Sequence, residues 1–157
     1  MRSEESGVCL VDDDPLVLNS LRHLLASDGV ATRSFDRAET LLAHIKMHSV
    51  VLVVLDIWME RVTGLDVLAR LCVGSPQTRV IVITARDDLA ARATAMQSRP
   101  VAFFIKPFSD EKFRAALHDA CSSKKFVRTR LEVEPQSRLT SLNLTLRVGH
   151  FLLRQRR

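Results

Sequence analysis

Four positions in this chain carry side chains suited to chemistry on an anion. Asp12, Asp13 and Asp14 follow the apolar stretch 8–11, and Asp56 follows the six-residue apolar stretch 50–55. Thr84 ends the stretch 80–83, and Lys106 directly follows 101–105. Carboxylates brought together repel and raise one another's pKa. A hard divalent cation relieves that repulsion; Mg²⁺ takes oxygen ligands, keeps several waters and is typically held by one or two carboxylates plus phosphate oxygens. A carboxylate is also a nucleophile able to form an acyl phosphate. Phosphoryl transfer needs the charge on the equatorial oxygens neutralised, and Mg²⁺, the Lys106 ammonium and the Thr84 hydroxyl are suited to supply this. Asp56 is the best nucleophile candidate, because it stands alone on the most apolar run with the pair Asp12/Asp13 opposite. Taken singly, an acidic residue after a strand is more often a helix cap; it is four such groups at strand ends together that point to chemistry.

Groups so far apart along the chain need a scaffold that delivers them to one place. Apolar runs and helix-period stretches alternate through the first 122 residues. The pattern predicts strands over 8–11, 31–35, 50–55, 80–83 and 101–105. Between them, Asp14 and Pro15 suit the start of a helix, which carries Leu18, Leu21, Leu24 and Leu25 at helical spacing and closes at Gly29. Further helices are predicted over 37–48, 65–73 and 89–97, and after Ser109 as a cap. Five βα pairs in succession call for a parallel sheet with helices on both faces. The fully apolar 50–55 strand belongs at its centre. Ligands of open α/β sheets bind outside the carboxyl ends of the strands, so all four groups are expected at one edge.

The 157 residues are 46% hydrophobic and 26% charged, which fits one globular domain with a tail and excludes a disordered chain. No apolar run exceeds six residues, so no bilayer span or membrane partner is expected. The start Met1-Arg2-Ser3-Glu4-Glu5 has no apolar core of a secretory signal. Cys9, Cys72 and Cys121 lack metal-ligand spacing and fit reduced thiols in the cytoplasm. The net charge of +5 is uneven: residues 1–122 hold 14 Lys+Arg against 16 Asp+Glu, and residues 123–157 hold 9 against 2. A basic tail can meet nucleic acid or an anionic surface, and a solvated basic end accounts for it as well.

The chain resembles the receiver domain of bacterial two-component response regulators. The likeness lies in Val11-Asp12-Asp13-Asp14-Pro15, Leu55-Asp56-Ile57-Trp58-Met59 with Gly64, Ile81-Val82-Ile83-Thr84-Ala85 and Phe103-Phe104-Ile105-Lys106-Pro107-Phe108. It covers about residues 7–122, leaving 123–157 as a basic linker or tail. The resemblance implies an α/β, flavodoxin-like (βα)₅ fold: a doubly wound five-stranded parallel sheet of strand order 2-1-3-4-5. It implies a phosphoprotein of a phosphorelay rather than an enzyme, with Asp56 as phosphoacceptor from a sensor histidine kinase. Mg²⁺ would be bound by Asp13, Asp56 and the Trp58 backbone carbonyl, and by Asp12 through a water. Thr84 and Lys106 would contact the phosphoryl group, and Phe103 would be the switching aromatic. Lys106-Pro107 matches a family site for a cis peptide. The output surface, which could also support a homodimer, would be the face of the fourth helix, fifth strand and fifth helix. Met96 and Phe104 are placed there, although core packing is the better reading for Met96.

Several residues depart from the family's pattern. Glu60 stands where Pro is usual, Ser98-Arg99-Pro100 replaces a small Ala-Gly turn, and Ala102 stands where an acid is common. Gly at such a turn tolerates positive φ, and Arg99 does so less cheaply. In the tail, Arg138-Leu139-Thr140-Ser141-Leu142 resembles the lead-in to a LuxR-type helix-turn-helix of the FixJ/NarL kind. The residues after it alternate like a strand instead, so an output region lost by truncation or frameshift is expected. The alternative function is a transcriptional regulator that binds DNA through the basic tail, although no groove-reading element is visible. A phosphatase of the haloacid-dehalogenase type would want a second acid where Trp58 stands, which disfavours that reading.

Overall fold

The computed structural model describes residues 6–122. The elements alternate: β1 (Ser6–Val11), α1 (Pro15–Ser27), β2 (Thr32–Phe35), α2 (Ala38–Met47), β3 (Val50–Asp56), α3 (Gly64–Gly74), β4 (Arg79–Thr84), α4 (Leu89–Gln97), β5 (Ala102–Ile105) and α5 (Asp110–Ser122). The strands form one parallel sheet in the order β2-β1-β3-β4-β5. Fold class and strand order are therefore as the sequence and the resemblance imply.

Successive side chains on a strand point to opposite faces, and the apolar strands use both. Cys9, Val11, Val53, Leu55, Val80 and Val82 meet Leu41 of α2, Val67, Leu68 and Leu71 of α3, and Ala91 and Ala95 of α4 in one core layer. Val8, Leu10, Leu52, Val54, Ile81 and Ile83 meet Leu18, Leu21 and Leu25 of α1 and Phe113, Leu117 and Ala120 of α5 in the other. β3 holds the centre because residues 52–56 are buried on both faces. Four of the five helices begin where a polar side chain satisfies one of their first free amides; α2, which follows Arg37, has no side-chain cap. The Leu16 amide donates to Asp14 Oδ1 at 2.8 Å, the Asp66 amide to Thr63 Oγ1 at 3.3 Å, and the Ala91 amide to Asp88 Oδ1 at 2.7 Å. At α5, the Lys112 amide reaches Ser109 Oγ at 3.4 Å, as expected of a cap. Gly29 follows α1 at φ +73°, a conformation glycine adopts freely.

One expectation needs correction. Met96 is not core: it is half exposed, because α4 turns only Ala91 and Ala95 inward and their small side chains leave the next turn outside. Phe104 lies on the α5 side of β5, with its ring centroid 5.3 Å from that of Phe108 and 5.7 Å from that of Phe113. Strand alternation explains this, since Phe103 takes the opposite face and packs in the α4 layer. The Lys106–Pro107 peptide is cis, as the resemblance implies.

Two backbone positions have opposite steric status. A Cβ on Gly64 would lie 2.1 Å from the Asp56 carbonyl oxygen and 2.7 Å from Ile57 Cα, so only glycine lets α3 start against the end of β3. Arg99 instead holds φ +50° where a glycine would be unstrained. Gly64→Ala should lower stability by about 3 kcal/mol, since the clash is with main chain that cannot rotate away. Arg99→Gly should be neutral or raise it by up to about 1 kcal/mol, the relief of positive φ being partly offset by greater unfolded-state freedom. Urea unfolding of the two variants tests both signs; a tolerated Gly64→Ala would contradict the packing described.

Candidate functional site

Strand register brings the four sequence-predicted positions to the carboxyl edge of the sheet. β1 ends at Val11, paired with Leu55 of β3, so Asp12 and Asp13 emerge beside Asp56. The Lys106 amide donates to the Thr84 carbonyl at 2.7 Å, which fixes the start of the β5–α5 connection beside the end of β4. From there Lys106 Nζ reaches Asp12 Oδ2 at 2.7 Å and Asp56 Oδ2 at 3.8 Å. One carboxylate oxygen from each of Asp12, Asp13 and Asp56 lies within 4.8 Å of the others. Asp12 is 1% exposed and Asp56 3%, while Asp13 is exposed.

Each carboxylate is held by main chain. Asp12 Oδ1 accepts from the Asp14 amide at 2.9 Å, Asp13 Oδ2 from the Glu60 amide at 3.0 Å, and Asp56 Oδ1 from the Trp58 amide at 3.4 Å. Burial raises the Asp56 pKa to about 6; Lys106 and the Trp58 amide pull it down, and Asp12 and Asp13 push it up. One ammonium thus leaves three clustered carboxylates short of positive charge. An all-oxygen donor set of this kind, partly dry and electrostatically unbalanced, fits a hard divalent cation such as Mg²⁺.

The remaining predicted residues stand at the rim. Thr84 is fully buried, and its Oγ1 donates to the Arg86 carbonyl at 3.1 Å and accepts from the Arg86 amide at 3.2 Å. Its hydroxyl is thus turned toward the following loop rather than toward the carboxylates. Phe103 is half-buried with the Arg92 guanidinium 5.2 Å from its ring centroid, and Trp58 is half-buried with the Arg86 guanidinium 5.0 Å from its own. Arg86, Arg92, the Glu60 amide and the steric role of Gly64 were not visible in the sequence. The two arginines lie on an exposed loop and helix without periodicity or motif, and the Glu60 contact is made by backbone, which carries no residue-type signal. Among the described residues no helix is long and apolar enough to cross a membrane. The basic tail and its suggested DNA contacts fall on residues 123–157, outside the described residues.

A family model described as the response regulator receiver domain matches residues 8–118. The response regulator protein TmoT of Ectopseudomonas mendocina is 30% identical over 138 residues, covering 88% of this chain and 58% of that protein. The alginate biosynthesis transcriptional regulatory protein AlgB of Pseudomonas aeruginosa is 32% identical over 115 residues, 73% of this chain and 26% of that protein. The chain therefore spans little more than half of one relative and about a quarter of the other. Among solved structures, the beryllofluoride-activated NtrC4 receiver domain dimer is similar at 28% identity and a TM-score of 0.69, covering 73% of this chain and 95% of that one.

The charge imbalance at Asp56 has a measurable consequence. A carboxyl whose folded pKa is about 6 against an ordinary 3.8 binds its proton more tightly when folded. Its protonated form therefore favours the fold at low pH, and that contribution is lost as the pH rises from about 4 through about 6. Asp56→Asn, which cannot ionise, should stabilise the metal-free protein at pH 8 by up to about 3 kcal/mol. The gain should shrink steadily below pH 6. Thermal melts of both proteins in chelator from pH 4 to 8 check this; an Asn variant that melts lower at pH 8 would contradict it.

Proposed function

The chain belongs to the response regulator receiver domain family, and from that premise we propose that it is the phosphoryl-accepting module of a two-component phosphorelay, with Asp56 as the acceptor. The observation that carries the proposal is the meeting of the Asp12, Asp13 and Asp56 carboxylates within 4.8 Å, with Lys106 Nζ between Asp12 and Asp56. An Asp56 oxygen attacks the phosphorus of a phosphohistidine on a sensor kinase; the P–O bond forms as the P–N bond breaks, and the imidazole takes up a proton as it leaves. Lys106 stands beside Asp56 to pair with the phosphoryl oxygens, and the Thr84 hydroxyl contacts them once it leaves Arg86.

Asp13, Asp56 and the Trp58 backbone carbonyl would hold Mg²⁺, and Asp12 would hold it through a water. Bound there, Mg²⁺ neutralises the carboxylates so that an anionic donor can approach. The module accepts and loses a phosphoryl group and has no substrate turnover of its own in this reading. Phosphorylation adds roughly −1.5 to −2 charges beside Thr84, and Phe103 turns into the space Thr84 vacates, changing the surface of α4, β5 and α5. Leu89 and Met96 are exposed on α4 and suit that surface to a homodimer contact. An apolar groove of about 490 Å³, lined by Leu16, Leu21, Leu24, Pro107 and Phe108, opens beside Lys106 and suits the kinase's docking surface. Residues 7–122 form the module, 123–157 the basic linker or tail, and the cytoplasm is the site of action.

Incubation of the full chain with Mg²⁺ and acetyl phosphate should add one phosphoryl group by intact mass. The gain should vanish in Asp56→Ala and with chelator, and slow by at least about tenfold in Asp13→Asn, which loses a metal-binding charge. Phosphorylation that persists in Asp56→Ala would overturn the assignment.

A further inference from the structure

Arg86 is not among the groups that touch the clustered carboxylates, yet it occupies both hydrogen-bonding functions of the Thr84 hydroxyl. Thr84 Oγ1 donates to the Arg86 carbonyl at 3.1 Å and accepts from the Arg86 amide at 3.2 Å. A hydroxyl has one proton. While this turn stands, that proton is committed to Arg86 and is not available to a phosphoryl oxygen. The turn is the first part of an exposed stretch, with residues 85–90 all at the surface, so burial does not hold it.

Arg86 itself is anchored across the site. Its guanidinium lies 5.0 Å from the centroid of the Trp58 ring, within the range of a cation–π contact. Trp58 is tied in turn to the nucleophile, its amide facing Asp56 Oδ1 at 3.4 Å. A chain of contacts thus runs from Asp56 through Trp58 and Arg86 to Thr84, joining the ends of β3 and β4 outside the sheet. The indole Nε1 is buried without a hydrogen-bond partner. An unpaired buried N–H is unfavourable, so packing and the arginine hold this ring, and it gains a hydrogen bond by leaving.

We propose that the Trp58–Arg86 stack is a latch in which Arg86 acts as a positioning residue, holding the Thr84 hydroxyl turned away from Asp56 until a phosphoryl group draws it in. The proposal rests on the phosphoacceptor function above and adds what sets the resting balance of its switch. Loosening the stack frees the Arg86 backbone, raises the fraction of molecules with Thr84 turned inward, and tightens apparent affinity for any anion that needs that state. A stack whose arginine is exposed to solvent is a modest restraint, so the expected change is about three-fold.

The test uses the full chain and two readouts. The first is the ¹³C shift of the Thr84 methyl in ligand-free protein, compared with its position when Mg²⁺ and beryllofluoride saturate the site. In both Trp58→Leu and Arg86→Gln it should move toward the saturated position, and in Trp58→Phe, which keeps an aromatic face, it should stay near wild type. The second is calorimetric titration with beryllofluoride in excess Mg²⁺. Trp58→Leu, which keeps the arginine's charge, should bind about three-fold tighter than wild type, and adding Arg86→Gln should tighten it no further. A merely structural role would lower the melting temperature without moving the methyl signal. If the signal stays in place in both variants, or if Leu and Phe at position 58 behave alike, the latch is wrong while the phosphoacceptor reading stands. A wild-type chain that binds no beryllofluoride removes that reading and the latch together.

Discussion

One ammonium among three carboxylates, two of them buried, is the constraint around which this molecule is built. Lys106 Nζ makes a short ion pair with the buried Asp12 and stands farther from Asp56. Taking carboxylates out of water is costly unless they are paired, and here only part of their charge is matched. The rest of the cost is met by main-chain amides of Asp14, Glu60 and Trp58, each donating to a different carboxylate. The excess negative charge that remains fits this edge to a hard divalent cation.

That arrangement demands a rigid support, and the parallel sheet supplies it. β1, β3 and β4 bury both of their faces, so neither a one-residue slip nor a rotation is possible without moving apolar side chains into the wrong layer. The ends of these strands are therefore fixed relative to one another. Gly64 adds a second restraint: its missing side chain lets α3 press against the Asp56 main chain, holding the loop that supplies the Glu60 and Trp58 amides. The less buried parts lie outside this frame, in the exposed 85–90 stretch and the half-buried rings of Trp58 and Phe103.

Legibility in the sequence followed the range of the physics. The strands were readable because continuous apolar runs have few alternatives to a doubly covered sheet, and Asp56 because it ends the most apolar of them. The caps at Asp14 and Ser109 were readable because a cap is a contact between near neighbours. Met96 was misjudged because α4 is rich in alanine, and such a helix has no large apolar stripe to declare its inward face. The strain at Arg99 was anticipated from residue type alone, since positive φ is penalised for any side chain with a Cβ.

Composition and order along the chain were enough to determine the alternating elements and which acidic residues reach the sheet's edge; these depend on local periodicity and on burial. Tertiary structure alone decided which carboxylate Lys106 holds most closely, which way the Thr84 hydroxyl points, and that Trp58 and Arg86 meet. Those outcomes depend on distances of a few ångströms between groups far apart in sequence and on competition among donors for one oxygen. No pattern of residue types along the chain encodes such distances.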